Sequence, residues 1–262
     1  MGYTTLMRVI DLGQLKYRDA LAEQQARLAE VVADVSHEGF LLLVEHIPPV
    51  LTLGRRAKAE HVLADEVMLR REGIETHEIT RGGDVTYHGP GQLVAYPIVR
   101  LWPRSTGVQR DAGVPPASGE ESFTYSTDQP HGAHNAGETP ASRCRGILPA
   151  HCGVHEYVRG LEQAIIDCLA VFGLSATRRA GATGAWIGDE KIAAIGIAVR
   201  RWVTWHGLAL NVNVNRKHFD LIVPCGLRET GITDMQTCLG RPITLDEVKP
   251  VLVKCLRNVL QK

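Results

Sequence analysis

The sequence predicts an α+β fold, a mixed and mostly antiparallel sheet with flanking helices. Three observations carry this expectation: apolar residues recur at helical spacing in separated segments, short apolar runs of strand length lie between them, and Gly188-Asp189 joins two extended runs as a hairpin turn would. From Leu15 to Val35, the residues Leu21, Leu28, Val31 and Val35 share a helical face with charges between them. Phe40 to Val44 suits a buried strand, and Val50 to Leu53, after Pro48-Pro49, suits a second. A helix is expected from about Ala59 to Glu72, stopped by Gly73, because glycine accepts the left-handed turn at a helix end. Val85 to Tyr87 and Leu93 to Val99 read as extended around His88-Gly89-Pro90-Gly91. A helix from Val154 to Phe172 puts Val158, Leu161, Ile165, Cys168 and Phe172 on one face before Gly173. Ala185 to Ile187 and Glu190 to Val199 are the arms of the hairpin, and Val203 to Val214 is a further long strand. The last helix opens on the capping box Thr244-Leu245-Asp246-Glu247 and carries Val248, Val251, Leu252, Cys255, Val259 and Leu260 inward. Hairpin strands with segregated helices are the α+β pattern.

The chain has 262 residues, 29 Lys and Arg against 29 Asp and Glu, and average hydrophobic content, so it can bury a core and has no excess charge for a nucleic-acid partner. Local basic clusters at Arg55, Arg56 and Lys58, at Arg200 and Arg201, and at Arg216 and Lys217 could dock an acidic partner, although solvated surface charge explains each of them as well. The longest apolar runs, Gly39 to Val44 and Ile192 to Val199, are far short of a membrane span. The start MGYTTLMRVIDLG lacks the pattern of a secretory signal, and Leu6 breaks that of a myristoylation site, so a cytoplasmic location is expected. Between Pro103 and Pro149 the chain is rich in Pro, Gly, Ser and Thr and poor in large apolar residues. Such a stretch cannot build a core, so residues 1–262 read as one domain interrupted by a flexible insertion at 103–149.

Six cysteines, Cys144, Cys152, Cys168, Cys225, Cys238 and Cys255, include no C-x-x-C pair, which argues against structural zinc, and without a secretion signal they read as thiols. The histidines His131, His134, His151 and His155, in and beside the insertion with Cys144 and Cys152, match no metal-ligand spacing, and no metal is expected. Cys168 and Cys255 fall on helical core faces. Cys225 lies instead in Pro224-Cys225-Gly226, an irregular turn in which a thiol can meet a substrate, and elimination points to it as the reactive one.

Residues 81–92, Arg81-Gly82-Gly83-Asp84-Val85-Thr86-Tyr87-His88-Gly89-Pro90-Gly91-Gln92, concentrate glycines, an arginine and a histidine. Glycines let backbone N–H groups approach a ligand, and Arg81 and His88 add polar contacts; a glycine-rich turn with no ligand fits the same letters, but a phosphate loop does not, because its G-K-[ST] ending is absent. A nucleophilic thiol is favoured as thiolate by a nearby cation. Lys191, at the start of the apolar run Ile192-Ala193-Ala194-Ile195-Gly196, is a candidate neighbour; a hairpin-edge lysine reaching water is an equal reading, and His88 and His206 are rivals.

At these residues the chain resembles the octanoyl-[acyl-carrier-protein]:protein N-octanoyltransferases, also called lipoyl(octanoyl) transferases or lipoate-protein ligase B. RGGDVTYHGPGQLVAYP, Lys191 with AIG three residues on, the TWHGLALNV strand and the IVPCG turn occur in the family's order, and the resemblance covers Val9 to about Arg100 and Val154 to Gln261. It implies a catalytic domain of the lipoate and biotin protein ligase type. It also implies an acyltransferase that moves an octanoyl group from the phosphopantetheine arm of acyl carrier protein to a lysine of lipoyl domains, including those of 2-oxoacid dehydrogenase complexes and the glycine cleavage H protein, without ATP. Carried over by position, Cys225 is the thioester nucleophile and Lys191 its activating partner; Arg81, Gly82, Gly83, Asp84, Val85, Thr86, Tyr87 and His88, with Ala194, Ile195, Gly196, Gly207, Leu208 and Ala209, line the acyl site, and apolar wall residues around Ile195 and Leu208 are expected to hold the chain. The insertion departs from the family's short connection and bears on how a carrier approaches. Two other readings are an ATP-dependent lipoate-protein ligase of the same fold, which would need no cysteine, and a protein that binds acyl carriers without catalysis.

Overall fold

The computed structural model describes residues 7–101, 153–222 and 231–260. The insertion at 103–149, Cys144, Cys152 and Cys225 lie outside the described residues. The main sheet has seven strands in the order β1-β2-β6-β10-β9-β8-β7. These are β1 (Arg8–Leu15), β2 (Phe40–His46), β6 (Gln92–Ile98), β10 (Val203–Asn211), β9 (Glu190–Arg200), β8 (Ala182–Ile187) and β7 (Thr177–Arg179). Only β1 and β2 run parallel, joined through helix α1 (Tyr17–Ala33); the other pairings are antiparallel. A smaller sheet, β4-β3-β5, holds β4 (Glu75–Glu78), β3 (Val50–Leu53) and β5 (Val85–His88).

Side-chain alternation divides the main sheet into two faces. Leu41, Leu43, Leu93, Ala95, Ile197, Leu208 and Leu210 face helices α3 (Val154–Val171) and α5 (Leu245–Leu260), where Leu161, Ile165, Cys168, Leu252 and Cys255 complete the larger core. Phe40, Leu42, Val44, Val94, Tyr96, Ile98 and Ala209 face the other way and meet Ala20, Leu28 and Val31 of α1. The small sheet has its own core of Leu51, Leu69, Val85, Tyr87, Phe219 and Ile222.

Most expected elements are present. The Gly188-Asp189 turn, with Gly188 at φ 57°, joins β8 to β9. Thr244 and Glu247 exchange the reciprocal hydrogen bonds of a capping box, Thr244 N to Glu247 Oε2 at 2.8 Å and Glu247 N to Thr244 Oγ1 at 3.3 Å. Cys168 and Cys255 are buried as expected. Two expectations need correction. Val35 lies past the end of α1 and is 69% exposed; the buried face of α1 uses Tyr17, Ala20 and Gln24 instead. The helix expected over 59–72 is a 3-10 turn at Ala59–His61 and a separate α2 (Glu66–Arg71), because Asp65 caps α2 by accepting from Met68 N.

One buried charge ties α3 to the sheet edge. Glu162, 1% exposed, accepts from Arg159 Nη1 at 2.7 Å, Arg178 Nε at 3.1 Å and Gly184 N at 3.2 Å. Its loss strands a buried N–H and two guanidinium partners. Glu162→Ala is therefore expected to lower unfolding free energy by about 2 kcal/mol in urea titrations.

Candidate active site

The sheet face opposite α3 and α5 carries a floor of small residues at paired positions of two central strands: Ala194 opposite Ala209, and Gly196 opposite Gly207. Ala194, Ile195 and Gly196 are only partly buried although β9 is an interior strand, whereas Ile192, Ala193 and Ile197 to Val199 around them are buried. Gly207 is required by close approach: a Cβ there would stand 2.2 Å from Ala95 O on β6. Ile195 and Leu208 turn their side chains into the α3–α5 core, so they present only backbone to this floor, as the two-residue period of a strand requires.

The loop Arg81-Gly82-Gly83-Asp84 covers this floor. It is clasped from one side by Gly54 N to Asp84 O, Arg55 N to Arg81 O and Arg56 N to Gly83 O, and from the other by Gly82 N to Ile197 O at 3.3 Å. Gly54 permits the contact, since a Cβ there would stand 2.4 Å from Gly83 O. Arg81 is 7% exposed; Nη2 donates to Thr52 O and Thr52 Oγ1 and Nη1 to Gly82 O, each at 2.9 Å, and its Cδ lies 3.0 Å from where a Cβ on Gly196 would be. Asp84 accepts from Val85 N and pairs with His61. Val85 and Tyr87 point into the core of the small sheet, and the Tyr87 hydroxyl meets His218 Nδ1 at 2.8 Å. Arg81 and Gly82 are thus the residues of the motif brought against the floor, at Gly196.

Lys191 reaches the same face through a bulge. Ala185 pairs with Ala193 and Trp186 with Lys191, so Ile192 is an extra residue on β9. Ile192 and Ala193 both pack into the α3–α5 core, and Lys191 is thereby turned to the opposite side. Its Nζ lies 4.8 Å from the centre of the Trp186 ring, a cation–π contact, and its Cε lies beside Gly184. The backbone of Lys191 is held by Gly231 and Thr233: Lys191 N donates to Gly231 O at 2.9 Å, and Thr233 N to Lys191 O at 3.1 Å. Cys225 lies outside the described residues; in sequence it stands between Ile222, bridged to Val62, and Gly231.

Hydrogen bonds link the two halves of the site. His88 Nδ1 donates to Gln92 Oε1 (2.7 Å), Gln92 Nε2 to Asn211 Oδ1 (2.9 Å), and Asn211 Nδ2 to Thr233 O (3.0 Å); Thr233 N then holds Lys191 O. The histidines here stay uncharged. Burial pushes His46 from 6.5 down to about 4 and His88 and His206 to about 3, with Arg81 adding to the effect on the last two and His46 acting on His88. His88 and His206 are therefore not the cation that a thiolate needs. Burial also pushes the Cys168 thiol up to about 12 and raises that of Cys255, which removes both as nucleophiles. Among the described residues, no group of His, Cys, Asp or Glu could hold a metal ion, and no helix is long and apolar enough to cross a membrane.

Several of these roles were not expected from sequence: Trp186 and Gly184 beside Lys191, Gln92, Asn211 and Thr233 in the hydrogen-bond chain, and His61 on Asp84. Gln92 and Asn211 stand inside the quoted motifs, but side-chain pairing across strands leaves no spacing signal.

The three histidines set a pH dependence of stability. Their folded-state values lie below 6.5, so between about pH 6.5 and 3 the unfolded chain binds protons that the folded chain refuses. The stabilisation is complete above pH 6.5 and is lost as pH falls. The unfolding free energy from urea titrations is expected to fall from pH 7 to pH 5, with a limiting slope below pH 6.5 of roughly 1.4 kcal/mol per pH unit for each histidine, and His46→Gln should flatten the slope.

The model of the lipoyl protein ligase A/B catalytic domain matches residues 16–112 and 145–257, leaving 113–144 unmatched. An octanoyltransferase of Myxococcus xanthus is 40% identical over 261 residues, covering 96% of this chain; the chain spans 58% of that protein's length. An octanoyltransferase of Desulforamulus reducens is 37% identical over 241 residues, covering 92% of this chain and 85% of the relative. The crystal structure of lipoate-protein ligase A bound with ATP superposes with a TM-score of 0.65 at 15% identity, covering 96% of this chain and 84% of that one, which shows the shared fold. The chain belongs to the octanoyltransferases of the lipoyl protein ligase A/B catalytic-domain family.

Proposed function

We propose that this octanoyltransferase works by a two-step exchange through Cys225, with octanoyl-acyl carrier protein as donor and a lysine of lipoyl domains as acceptor. The Cys225 thiolate attacks the donor carbonyl, the carbon–sulfur bond to the carrier breaks, and the carrier sulfur leaves as a thiol by taking a proton from the Lys191 ammonium, which is left neutral. The acceptor amine then attacks the enzyme thioester, an amide forms, and the cysteine sulfur leaves. Lys191, or a water that it holds, takes the amine proton. Thioester-to-amide exchange is downhill, so the reading includes no ATP and no metal. The acceptors are lipoyl domains of 2-oxoacid dehydrogenase complexes and the glycine cleavage H protein.

The observation that supports this most is the pairing of Lys191 with residues 231–233, just after the Pro-Cys-Gly turn in sequence. A lysine on the face of the small-residue floor is thereby held by the stretch that follows the thiol in sequence. The small-residue floor supports an acyl chain lying along β9 and β10, where each buried methylene contributes about 0.8 kcal/mol.

Intact-mass analysis after incubation with octanoyl-acyl carrier protein tests the proposal. A gain of one octanoyl group that disappears in Cys225→Ser is expected, and no gain in the parent chain contradicts the covalent step. Acylation of a lipoyl domain from free octanoate and ATP, independent of Cys225, would instead favour an ATP-dependent ligase.

A further inference from the structure

We propose that Trp186 is a positioning residue for the transfer reaction, its indole ring holding the Lys191 side chain on the floor side of the sheet and favouring it as ammonium. This rests on the acyl-transfer reading above and names the group that controls its lysine. Trp186 is the residue of β8 opposite Lys191, a pairing that the bulge at Ile192 creates. Its neighbours Ala185 and Ile187 pack into the α3–α5 core, so strand alternation sends the indole to the opposite face, where Lys191 also points.

The ring is fixed, and the lysine lies beside it. Trp186 is 1% exposed, and its indole N–H donates to Ala182 O at 3.0 Å, which ties the ring to its own strand. Gly184 stands two residues earlier on the same face. A Cβ there would lie 3.6 Å from Lys191 Cε, so the aliphatic stem runs beside Gly184 and delivers Nζ to 4.8 Å from the centre of the ring. Arg179 of β7 reaches the same indole, its Cζ 5.1 Å from the ring centre. Other charged groups near this position, among the described residues, are Asp189, 4.0 Å from Arg179, Glu190, beside Gly231, and Asp234, 3.9 Å from Arg216.

An aromatic face attracts an ammonium and not a neutral amine, so the ring shifts the proton balance of Lys191 toward the charged form. The permanent charge of Arg179 works the other way, because like charges disfavour a second cation, and the indole that both cations share offsets part of that repulsion. The transfer cycle uses this preference twice. In the resting state an ammonium supports the Cys225 thiolate. In the second step the acceptor nitrogen bonds to the thioester carbon, the carbon–sulfur bond breaks, and the amine proton moves to Lys191 Nζ, which restores ammonium and thiolate together. A ring that favours the ammonium thereby favours both the nucleophile and its regeneration.

The test follows iodoacetamide alkylation of Cys225 across pH by peptide mass analysis, in chains with and without Lys191. Trp186→Met, which fills space without a ring, is expected to move the rise in rate to higher pH, with a loss of about fivefold near pH 6. Trp186→Phe keeps an aromatic face and is expected to lose about twofold or less. In the Lys191→Ala background Trp186→Met is expected to cost nothing further, a result that a merely structural role would not give. Biosynthetic replacement of tryptophan by difluorotryptophan weakens the attraction of the ring for cations and keeps its shape, so it decides the matter where Trp186→Met does not fold. Its expected loss, about twofold near pH 6, is confined to chains with Lys191, and the Lys191→Ala chain controls for the other tryptophans. Parent-like profiles in the folded variant and in the fluorinated chain, or losses of equal size with and without Lys191, overturn the positioning role. The transfer reading stands in that case as long as Lys191→Ala itself shifts the profile. A Lys191→Ala chain that alkylates as the parent does removes the role of the lysine, a parent chain that no thioester acylates removes the transfer reading, and this inference falls with either.

Discussion

The placement of Lys191 is the constraint on which the site depends. A bulge at Ile192 sends the two residues after Lys191 into the larger core and turns the lysine to the opposite face, onto Trp186. The same peptide is hydrogen-bonded to Gly231 and Thr233, and from Thr233 the bonds continue through Asn211 and Gln92 to His88. The glycine-rich motif and the lysine are thus parts of one hydrogen-bonded unit although they lie far apart in sequence. Each amide in that unit has a fixed orientation, because each serves as donor to one neighbour and acceptor from another.

A floor of small residues in the middle of a sheet is costly, since alanine and glycine leave surface that larger side chains would fill. The opposite face offsets this with the dense packing of Leu208, Ile197 and Leu210 on α3 and α5. Arg81 covers the floor at Gly196 and spends its guanidinium on Thr52 and its own loop. Burial keeps the neighbouring histidines neutral, and the positive charge of Arg81 adds to it. The site therefore combines a strip of small residues on β9 and β10 with the basic side chains of Arg81 and Lys191 on the same face.

Much of the scaffold was legible in the sequence because it follows from period and punctuation. The α3 and α5 faces, the Gly188-Asp189 turn and the Thr244 capping box are local signals, and they place Cys168 and Cys255 in the core. What escaped was non-local. Gln24 is wholly buried on α1 because it reaches His206 N, so a polar letter occupies an apolar position of the helix, while Val35 lies beyond the helix end. The extra residue at Ile192 appears only when β8 is paired with β9, and with it the direction of Lys191. Ile195 and Leu208 stand inside the quoted motifs, and the strand period sends their side chains to the α3–α5 face. The composition of the glycine-rich motif pointed to close backbone contact, and the clasp between residues 54–56, the loop and Ile197 is that contact.

The role given to Lys191 is open to a measurement that needs no substrate. The rate at which iodoacetamide alkylates Cys225, followed across pH by peptide mass analysis, reports how readily that sulfur ionises. In Lys191→Ala the rise in rate is expected at higher pH than in the parent chain, with a loss of about tenfold near pH 6. Superimposable pH profiles in the two proteins would show that the lysine does not support the thiolate, and would leave the site without its activating group.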